Sequence, residues 1–255
     1  MAIHLMITTI THQNKTYKVD LSKPIDISLP LSNTPENVTA WYVSKPEFTP
    51  VMENGFVGDV NLGGNVNFRN IFFNPHGHGT HTECVGHISK EPYTIHQCLK
   101  QFFFFADLVT ITPKKIGDDA VITLAQIKQL WQPKGNEAII IRTLPNENDK
   151  KSFQYSNTNP AYIEAEVAAH LTQNGINHLL IDTPSVDRES DDGKLAAHHI
   201  FWEYPENTKI NRTISELVFV ENFIQDGTYL LNIQIASFKN DASPSKPLLF
   251  ALEDF

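Results

Sequence analysis

The alternation of apolar and polar residues predicts a β-rich opening to the chain. Residues 3–10 and 16–20 alternate around a polar turn at residues 12–15, and residues 24–29 continue in the same style, as half-buried strands do. Residues 33–70 are dense in Pro, Asn and Gly but contain scattered aromatic residues. This composition predicts long loops and short edge strands, a type of segment that often forms one wall of a pocket.

Two helices are predicted in the middle of the chain. Thr123 is placed to cap a segment with apolar residues at helical spacing, which ends before Pro133. A second helix is predicted to open at Asn159-Pro160, with proline at its first position, and to end at Gly175. Both segments therefore carry start and stop signals.

Each predicted helix is followed by a short, continuously apolar run, at residues 138–141 and 178–181. Such runs are typical of buried, parallel strands in an α/β fold. A further strand is predicted at residues 229–235, near the C-terminus. Because no internal repeat or boundary is evident, the pattern predicts one α/β domain over residues 1–255.

Composition and charge narrow the range of partners. The chain has 255 residues, of which 41% are hydrophobic and 19% charged, so it is long enough for a substantial core and is not of disordered composition. Its formal net charge of −9, without a basic run, argues against nucleic acid as a partner. No run approaches the roughly 20 apolar residues of a membrane span, so we expect no membrane partner.

The compartment is predicted from two features. Cys84 and Cys98 are too few for a disulfide framework and lack CxxC spacing, which fits a reducing environment. The alternating N-terminal pattern predicts strands rather than a signal peptide. The expected location is therefore cytoplasmic.

The strongest chemical signal is the stretch HGHGTHTECVGH at residues 76–87, which holds four of the eleven histidines. In an extended chain His81, Glu83 and His87 share one face. A turn at the glycines of this stretch, which can take positive φ, would bring His76 or His78 round to that face. Two imidazoles and a carboxylate that converge in this way favour Zn²⁺ or another divalent ion.

Three other interpretations of this stretch stay open. The histidines can be hydrogen-bonded structural residues, or Cys84 and His87 can form a nucleophile–base pair. His76, His78 and Glu83 also fit part of the first metal motif of the cupins, which implies a metal oxygenase in a β-barrel. The cupin second motif is not evident, and the predicted helices fit poorly in a pure barrel.

The stretch resembles the signature H-x-G-T-H-x-D-x-P-x-H of the metal-dependent cyclase and kynurenine formamidase-like hydrolases. Residues 79–83 stand for G-T-H-x-D, with Glu83 replacing Asp, and His87 stands for the last histidine. Five further segments resemble the family's "DLS", "RTG", "GIDTxSID", "AHR" and "xENL" segments in the same order: 24–28, 141–143, 181–187, 197–199 and 220–223.

The resemblance implies a fold and an activity. The fold is a swivelling β/β/α-type single domain with a mixed, partly barrel-like sheet and flanking helices, commonly assembled as a homodimer or homotetramer. The activity is hydrolysis of a small-molecule amide, either an N-formyl amide such as N-formylkynurenine in tryptophan catabolism or a cyclic amide such as isatin. The implied cofactor is one or two divalent ions, Zn²⁺ first and Mn²⁺ second.

The resemblance also implies site residues. His87 is the expected general base. Four further residues, Asp182, Ser185, Trp202 and Phe73, are expected to contact the substrate or to support the ligands. The expected metal ligands are His76, His81, Glu83, His198 and Glu221, with His78 and His199 as alternates.

Some departures from the family pattern keep a second function open. Gly77 stands where the signature has its first histidine, Glu83 is one methylene longer than Asp, and Val85 replaces the proline. Residues 207–212 form an apparent insertion between the late histidine and the late glutamate. The alternative is therefore a non-hydrolytic metal- or ligand-binding protein on the same scaffold.

Overall fold

The structure is a computed structural model that describes residues 5–254, so the first two residues of the predicted strand 3–10 lie outside it. The strands are β1 (Ile7–His12), β2 (Lys15–Asp20), β3 (Ile25–Asp26), β4 (Glu47–Pro50), β5 (Met52–Glu53), β6 (Phe56–Val57), β7 (Arg69–Phe72), β8 (His81–Glu83), β9 (Phe103–Ile111), β10 (Lys114–Ile116), β11 (Asp119–Ile122), β12 (Ala138–Thr143), β13 (Tyr162–Ile163), β14 (His178–Ile181), β15 (Thr213–Glu216), β16 (Gly227–Ile235), β17 (Ala242–Ala251) and β18 (Glu253–Asp254). The helices are α1 (Ile95–Cys98), α2 (Leu124–Leu130), α3 (Ala165–Gln173) and α4 (Ala196–Trp202), with 3₁₀ turns at Val60–Leu62, Val85–His87 and Asn148–Ser152.

Seven strands close into a mixed, barrel-like sheet in the order β16-β9-β12-β14-β15-β8-β17, and pairing of β16 with β17 completes the ring. Strands β9, β12, β14 and β15 run parallel, whereas β8 is antiparallel to both of its neighbours. This sheet confirms the predicted α/β class with a partly barrel-like sheet. Its helix-covered parallel strands do not match the cupin alternative, because cupins are antiparallel jelly rolls.

Successive residues of the parallel strands pack on opposite sides of the sheet. On β12, Ile139 and Ile141 belong to a buried cluster that includes Val167 of α3 and Phe201 of α4. Ile140 belongs instead to a cluster inside the barrel, built from residues of several strands around the ring. Outward-facing residues of the sheet therefore lie beneath α2, α3 and α4, and this layer positions the site described below.

Several local predictions are confirmed. The Thr123 side chain accepts the backbone N–H of Gln126, and the Gln126 side chain accepts the N–H of Thr123, which makes a capping box at the start of α2. Strands β12 and β14 pair in parallel as predicted. The predicted C-terminal strand lies within β16.

The predicted start of the second helix is wrong. α3 begins at Ala165 because Tyr162–Ile163 pair in parallel with β11 and are therefore extended. The Glu164 carboxylate accepts the N–H of Leu124 at 2.7 Å, which ties this start to α2. Gly175, with a φ of 86°, follows the helix end as predicted.

The segment 33–70 contains only short strands, as its composition predicts: β4 pairs with β7, and β5 with β6. None of the helices within residues 5–254 has the length and apolar character needed to cross a membrane.

Candidate metal centre

The centre begins with the pairing of β8 and β15. His81 lies opposite Glu216 in the antiparallel register, and the His81 Nε2 to Glu216 Oε2 distance is 3.3 Å. The hydroxyls of Thr82 and Ser215 bond to each other at 2.7 Å on the opposite face. Strand alternation therefore places His81, Glu83 and Glu216 together on the outer face, beneath α4, where all three are buried.

Helix α4 brings His198 over this face. The Asp187 carboxylate accepts the backbone N–H groups of Ala197 and His198 at 2.8 and 3.1 Å, and it lies 2.6 Å from Nδ1 of His198. One side chain thus anchors both the first turn of the helix and the imidazole ring. The other ring nitrogen, Nε2, lies 3.2 Å from Oε1 of Glu83 and 3.9 Å from Oε1 of Glu216.

The loop before β8 contributes His76. The Asn74 side chain accepts the N–H groups of His76 and Gly77, which fixes the backbone there. Nδ1 of His76 lies 3.1 Å from Oε2 of Glu83, and its Nε2 lies 2.8 Å from Oδ2 of Asp241. The expected turn is present at residues 75–77, but φ at Gly77 is not positive.

His87 ends the 3₁₀ turn after β8 and lies at the edge of the centre. Its Nδ1 is 3.4 Å from Oδ2 of Asp241 and 3.8 Å from Oε2 of Glu83. Its side chain is 30% exposed, compared with 0% for His81 and 2% for His198. His87 is therefore the histidine of this group that is most open to solvent.

The three remaining histidines share one arrangement. Each has one ring nitrogen near an outer acceptor: Asp241 for His76, the Gly79 carbonyl at 3.1 Å for His81, and Asp187 for His198. Each presents its other nitrogen to the carboxylates of Glu83 and Glu216. Metal-binding histidines show this pattern, in which an outer acceptor fixes the tautomer and frees a lone pair for the ion.

Two buried atoms of this group, Nε2 of His81 and Oε2 of Glu83, have no hydrogen-bond partner among the residues that the structure describes. A buried polar atom without a partner costs about 1–3 kcal/mol. Ligand atoms of three sets lie within 4.8 Å of one another: His76, His81 and Glu83; Glu83, His87 and His198; and His76, His87 and Asp241. Imidazole and carboxylate donors fit a divalent ion of borderline softness, which would satisfy both atoms.

Without an ion, the histidines and carboxylates of the centre stabilise each other's charges. Burial lowers the pKa of His76, but the nearby carboxylates of Asp241 and Glu83 outweigh burial and raise this pKa to about 10. Burial also lowers the pKa of His198, which bonds to Asp187 and Glu83 raise to about 10. For Glu83, burial raises the pKa, whereas the neighbouring imidazoles hold it well below its usual value.

Three residues expected as ligands or alternates lie outside the centre. Glu221 is 40% exposed and pairs with Lys151 at 2.6 Å, and Glu216 occupies the place expected for it. His78 accepts the N–H of Asn74 through Nδ1 and donates from Nε2 to the Ser44 carbonyl at 2.6 Å, so both of its nitrogens are engaged. His199 lies about 100° further round α4 than His198 and contacts the Tyr204 carbonyl at 3.1 Å.

The four residues expected to touch substrate or support the ligands have different surroundings. Trp202 is fully buried and donates to the Arg212 carbonyl, so it supports His198 from the core and offers no surface to a substrate. Asp182 accepts bonds from Thr143 and Lys150 and borders a separate cavity of about 470 Å³. The Ser185 hydroxyl accepts the N–H of Asp187 and braces that loop, whereas Phe73 stacks on Phe238 with ring centroids 6.1 Å apart.

Sequence reasoning missed three residues of the centre. Glu216 carried a weak signal, because it ends β15 two residues after Ile214 and strand alternation places both residues on one face. Asp187 stands in the segment that resembles "GIDTxSID", but no role was expected for it. Asp241 follows the expected C-terminal strand in a polar turn, and no local pattern marks it.

The chain is similar to known proteins over most of its length. The Cyclase family model, described as "Putative cyclase", matches residues 19–188, two thirds of the chain. A "Kynurenine formamidase" of Bacillus cytotoxicus is 28% identical over 235 residues, which cover 89% of this chain and 97% of that protein. A similar protein of Bacillus mycoides is 27% identical over 231 residues, with the same coverage.

Solved structures of low sequence identity share the fold. One, described as a potential metal-dependent hydrolase with cyclase activity, has a TM-score of 0.65 at 18% identity and covers 89% of this chain and 97% of its own. An isatin hydrolase bound to the product analogue thioisatinate has a TM-score of 0.63 at 14% identity, with coverages of 91% and 93%. The chain therefore belongs to the Cyclase family, and its relatives support a metal-dependent hydrolase that acts on a small molecule.

Proposed function

We propose that this protein hydrolyses an amide bond, N-formyl or cyclic, with a divalent ion held by His76, His81, Glu83, His198 and Glu216. One observation carries the proposal: three histidines, each oriented by an outer acceptor, face two buried carboxylates, and Nε2 of His81 and Oε2 of Glu83 lack a partner. Zn²⁺ is the proposed ion, with Mn²⁺ as the alternative, because both accept nitrogen and oxygen ligands. The two carboxylates leave room for one ion or two.

The chemistry follows from what each group can do. When bound, a divalent ion polarises a carbonyl and lowers the pKa of water. His87 is the exposed base within reach of Glu83, and we assign it the proton transfer. Nε2 of His87 takes a proton as water adds to the acyl carbon, and it returns a proton to nitrogen as the C–N bond breaks. The products are a carboxylic acid and an amine, so no nucleophilic side chain is needed.

The nature of the substrate is supported by relatives and by the entrance to the centre. One relative carries the name kynurenine formamidase, and one structural neighbour is an isatin hydrolase, so we propose an aryl amide substrate of this kind and a place in tryptophan catabolism. Phe73 and Phe238 stack in the segments that lead into His76 and Asp241, where they can contact an aromatic ring.

Self-association is part of the proposal. Phe72 is 62% exposed and Ile71 is 54% exposed on the ribbon of β4 and β7, and such apolar surface favours contact with a second copy. A homodimer or homotetramer is proposed, and sedimentation velocity measures it. The cytoplasmic location expected from the two cysteines stays a prediction.

The deciding experiment combines metal analysis with a substrate panel. The purified protein is assayed for bound metal, stripped with a chelator, reloaded with Zn²⁺ or Mn²⁺, and offered N-formylkynurenine, isatin and simple lactams. We expect at least one equivalent of metal, turnover of an aryl amide, and loss of turnover on stripping that reloading reverses.

Two results contradict the proposed function in different ways. Absence of bound metal after reloading, or hydrolysis that survives stripping, removes the metal-dependent mechanism. Stoichiometric metal without turnover of any amide favours the alternative function, a binding protein on the same scaffold. Glu83→Gln serves as the matched inactive control, because it keeps the side-chain size and removes the carboxylate charge.

A further inference from the structure

Asp241 lies beside the centre although it is far from the histidine-rich stretch in sequence. Its backbone carbonyl accepts the N–H of Cys84 at 3.0 Å, and the next residue, Ala242, pairs with Glu83 in the register of β17 with β8. The N–H of Ile95 donates to the carbonyl of Asn240 at 2.8 Å. These bonds fix the position of the Asp241 backbone relative to Glu83.

The second relevant feature is the absence of a side chain at residue 77. A Cβ built on Gly77 would lie 2.7 Å from Cγ2 of Val43 and 3.1 Å from the carbonyl oxygen of Ala40. The N–H of Ala40 also donates to the Gly77 carbonyl at 2.9 Å, so the two segments are held together. A histidine at residue 77 would therefore have to displace Val43, and His76 reaches the centre from one residue earlier.

A single oxygen of Asp241 contacts two rings. Oδ2 lies 2.8 Å from Nε2 of His76 and 3.4 Å from Nδ1 of His87. An ionised carboxylate only accepts hydrogen bonds, so Asp241 selects the form of His76 with hydrogen on Nε2 and leaves Nδ1 facing Glu83. Asp241 also contacts Nδ1 of His87, so the other ring nitrogen, Nε2, points away from Asp241 and is free for proton transfer.

We propose that Asp241 is a positioning residue that orients His76 toward the metal and His87 toward the substrate, and that it thereby compensates for the missing histidine at residue 77. This inference rests on the proposed function, since it assumes that His76 binds the ion. It assigns a role to a side chain that the motif does not contain.

The first test measures Zn²⁺ affinity by competition with a chromogenic chelator, in the whole protein and its variants. Removing an acceptor of this kind typically lowers metal affinity about 10- to 100-fold, which is the expected loss for Asp241→Asn. Asp241→Glu retains a carboxylate and should recover part of the affinity. Glu206→Gln, which removes an exposed carboxylate next to α4, is the matched control and should bind as the wild type does.

The second test needs no substitution at Asp241, and it applies even where that variant fails to fold. Nitrogen-15 spectra of histidine-labelled, Zn²⁺-loaded wild type report which ring nitrogen carries hydrogen, with the His76 signals assigned from His76→Gln. We expect hydrogen on Nε2 and coordination through Nδ1. Coordination through Nε2 would overturn the inference.

The remaining outcomes separate this inference from the proposed function. Equal Zn²⁺ affinity in wild type and Asp241→Asn overturns the positioning role and leaves the proposed function intact. Loss of a whole equivalent of zinc at saturation makes Asp241 a ligand, which also overturns the positioning role. A wild type that binds no zinc overturns the proposed function and the inference together.

Discussion

Two buried polar clusters lie at strand ends of the same barrel, and they differ in whether their groups are satisfied. At the ends of β12 and β14, Asp182 accepts the N–H and hydroxyl of Thr143, both at 2.8 Å, and the Lys150 ammonium at 2.9 Å. At the ends of β8 and β15, Nε2 of His81 and Oε2 of Glu83 have no hydrogen-bond partner within residues 5–254. The first cluster is complete with protein atoms alone, whereas the second has donor atoms that a cation can use.

The difference shows how to separate structural polar groups from a site. Both clusters contain a buried carboxylate and a nearby cationic group, so burial and charge do not distinguish them. A satisfied cluster such as Asp182 with Lys150 is expected to contribute to stability, because its loss leaves a partner unpaired. A cluster with unsatisfied ligand atoms costs stability in the metal-free protein, and a bound ion repays that cost.

The largest expected effect is that of Glu83→Gln. This substitution removes the carboxylate that faces His76, His87 and His198, and we expect amidase activity to fall by at least about 10³-fold, or ~4 kcal/mol at 1.36 kcal/mol per decade. Bound metal, measured by elemental analysis, should fall with it. Glu221→Gln is the matched control, because its carboxylate pairs with Lys151 on the surface; an equal loss in that variant contradicts the assignment.

The next effect concerns the satisfied cluster. Asp182→Asn leaves the half-buried Lys150 ammonium without its carboxylate, and breaking a largely buried ion pair in this way costs about 3 kcal/mol of the free energy of unfolding. Chemical denaturation measures this loss. Metal content should stay at the wild-type level, and a variant that loses metal while keeping its stability would remove the distinction between the two clusters.

The sequence predicts part of the centre because strand alternation is a local property. His81 and Glu83 are two residues apart in an extended segment, so their common face follows from the pleat alone. The resemblance to "xENL" pointed to Glu221, whereas the pairing of β15 with β8, which no local pattern fixes, places Glu216 opposite His81. The contact of Asp241 with His76 spans 165 residues and depends on closure of the barrel, which no local pattern encodes.

The fold shows the same limit. The cap at Thr123 and the parallel run at residues 138–141 are local signals, and both are confirmed. The start of α3 depends on the pairing of Tyr162–Ile163 with β11, a tertiary contact that overrides the helix signal of Pro160. Gly77 is predicted to take a positive φ, but its φ is not positive. Its lack of a side chain instead makes room for Val43, a neighbour that only the structure reveals.

The third prediction concerns His178, a buried histidine whose hydrogen-bond partner is a hydroxyl instead of a carboxylate. Nδ1 of His178 lies 2.8 Å from the Thr213 hydroxyl, and burial lowers the pKa of this ring to about 3. Unfolded chains take up a proton near pH 6.5 and the folded protein does not, so stability is lost as pH falls from about 6.5 toward 3. At pH 5 the loss from this group is about 2 kcal/mol.

Denaturation curves at pH 7 and pH 5 measure that loss in the wild type and in His178→Asn, which cannot titrate. The difference in unfolding free energy between the two pH values should be smaller in the variant by about 2 kcal/mol. An identical difference in both proteins would show that His178 takes up its proton in the folded state.

The smallest effect is expected at His78, and it sharpens the distinction within the histidine-rich stretch. Both nitrogens of His78 bond to backbone groups, of Asn74 and Ser44, as satisfied groups do elsewhere in the core. His78→Asn should therefore cost about 1 kcal/mol in the free energy of unfolding, the typical net value of a hydrogen bond. Zn²⁺ affinity should stay unchanged, whereas His76→Asn should lower it, because of these two histidines it is His76 that turns a nitrogen toward Glu83. Loss of Zn²⁺ affinity at His78 with no loss at His76 would reverse the assignment of the first ligand.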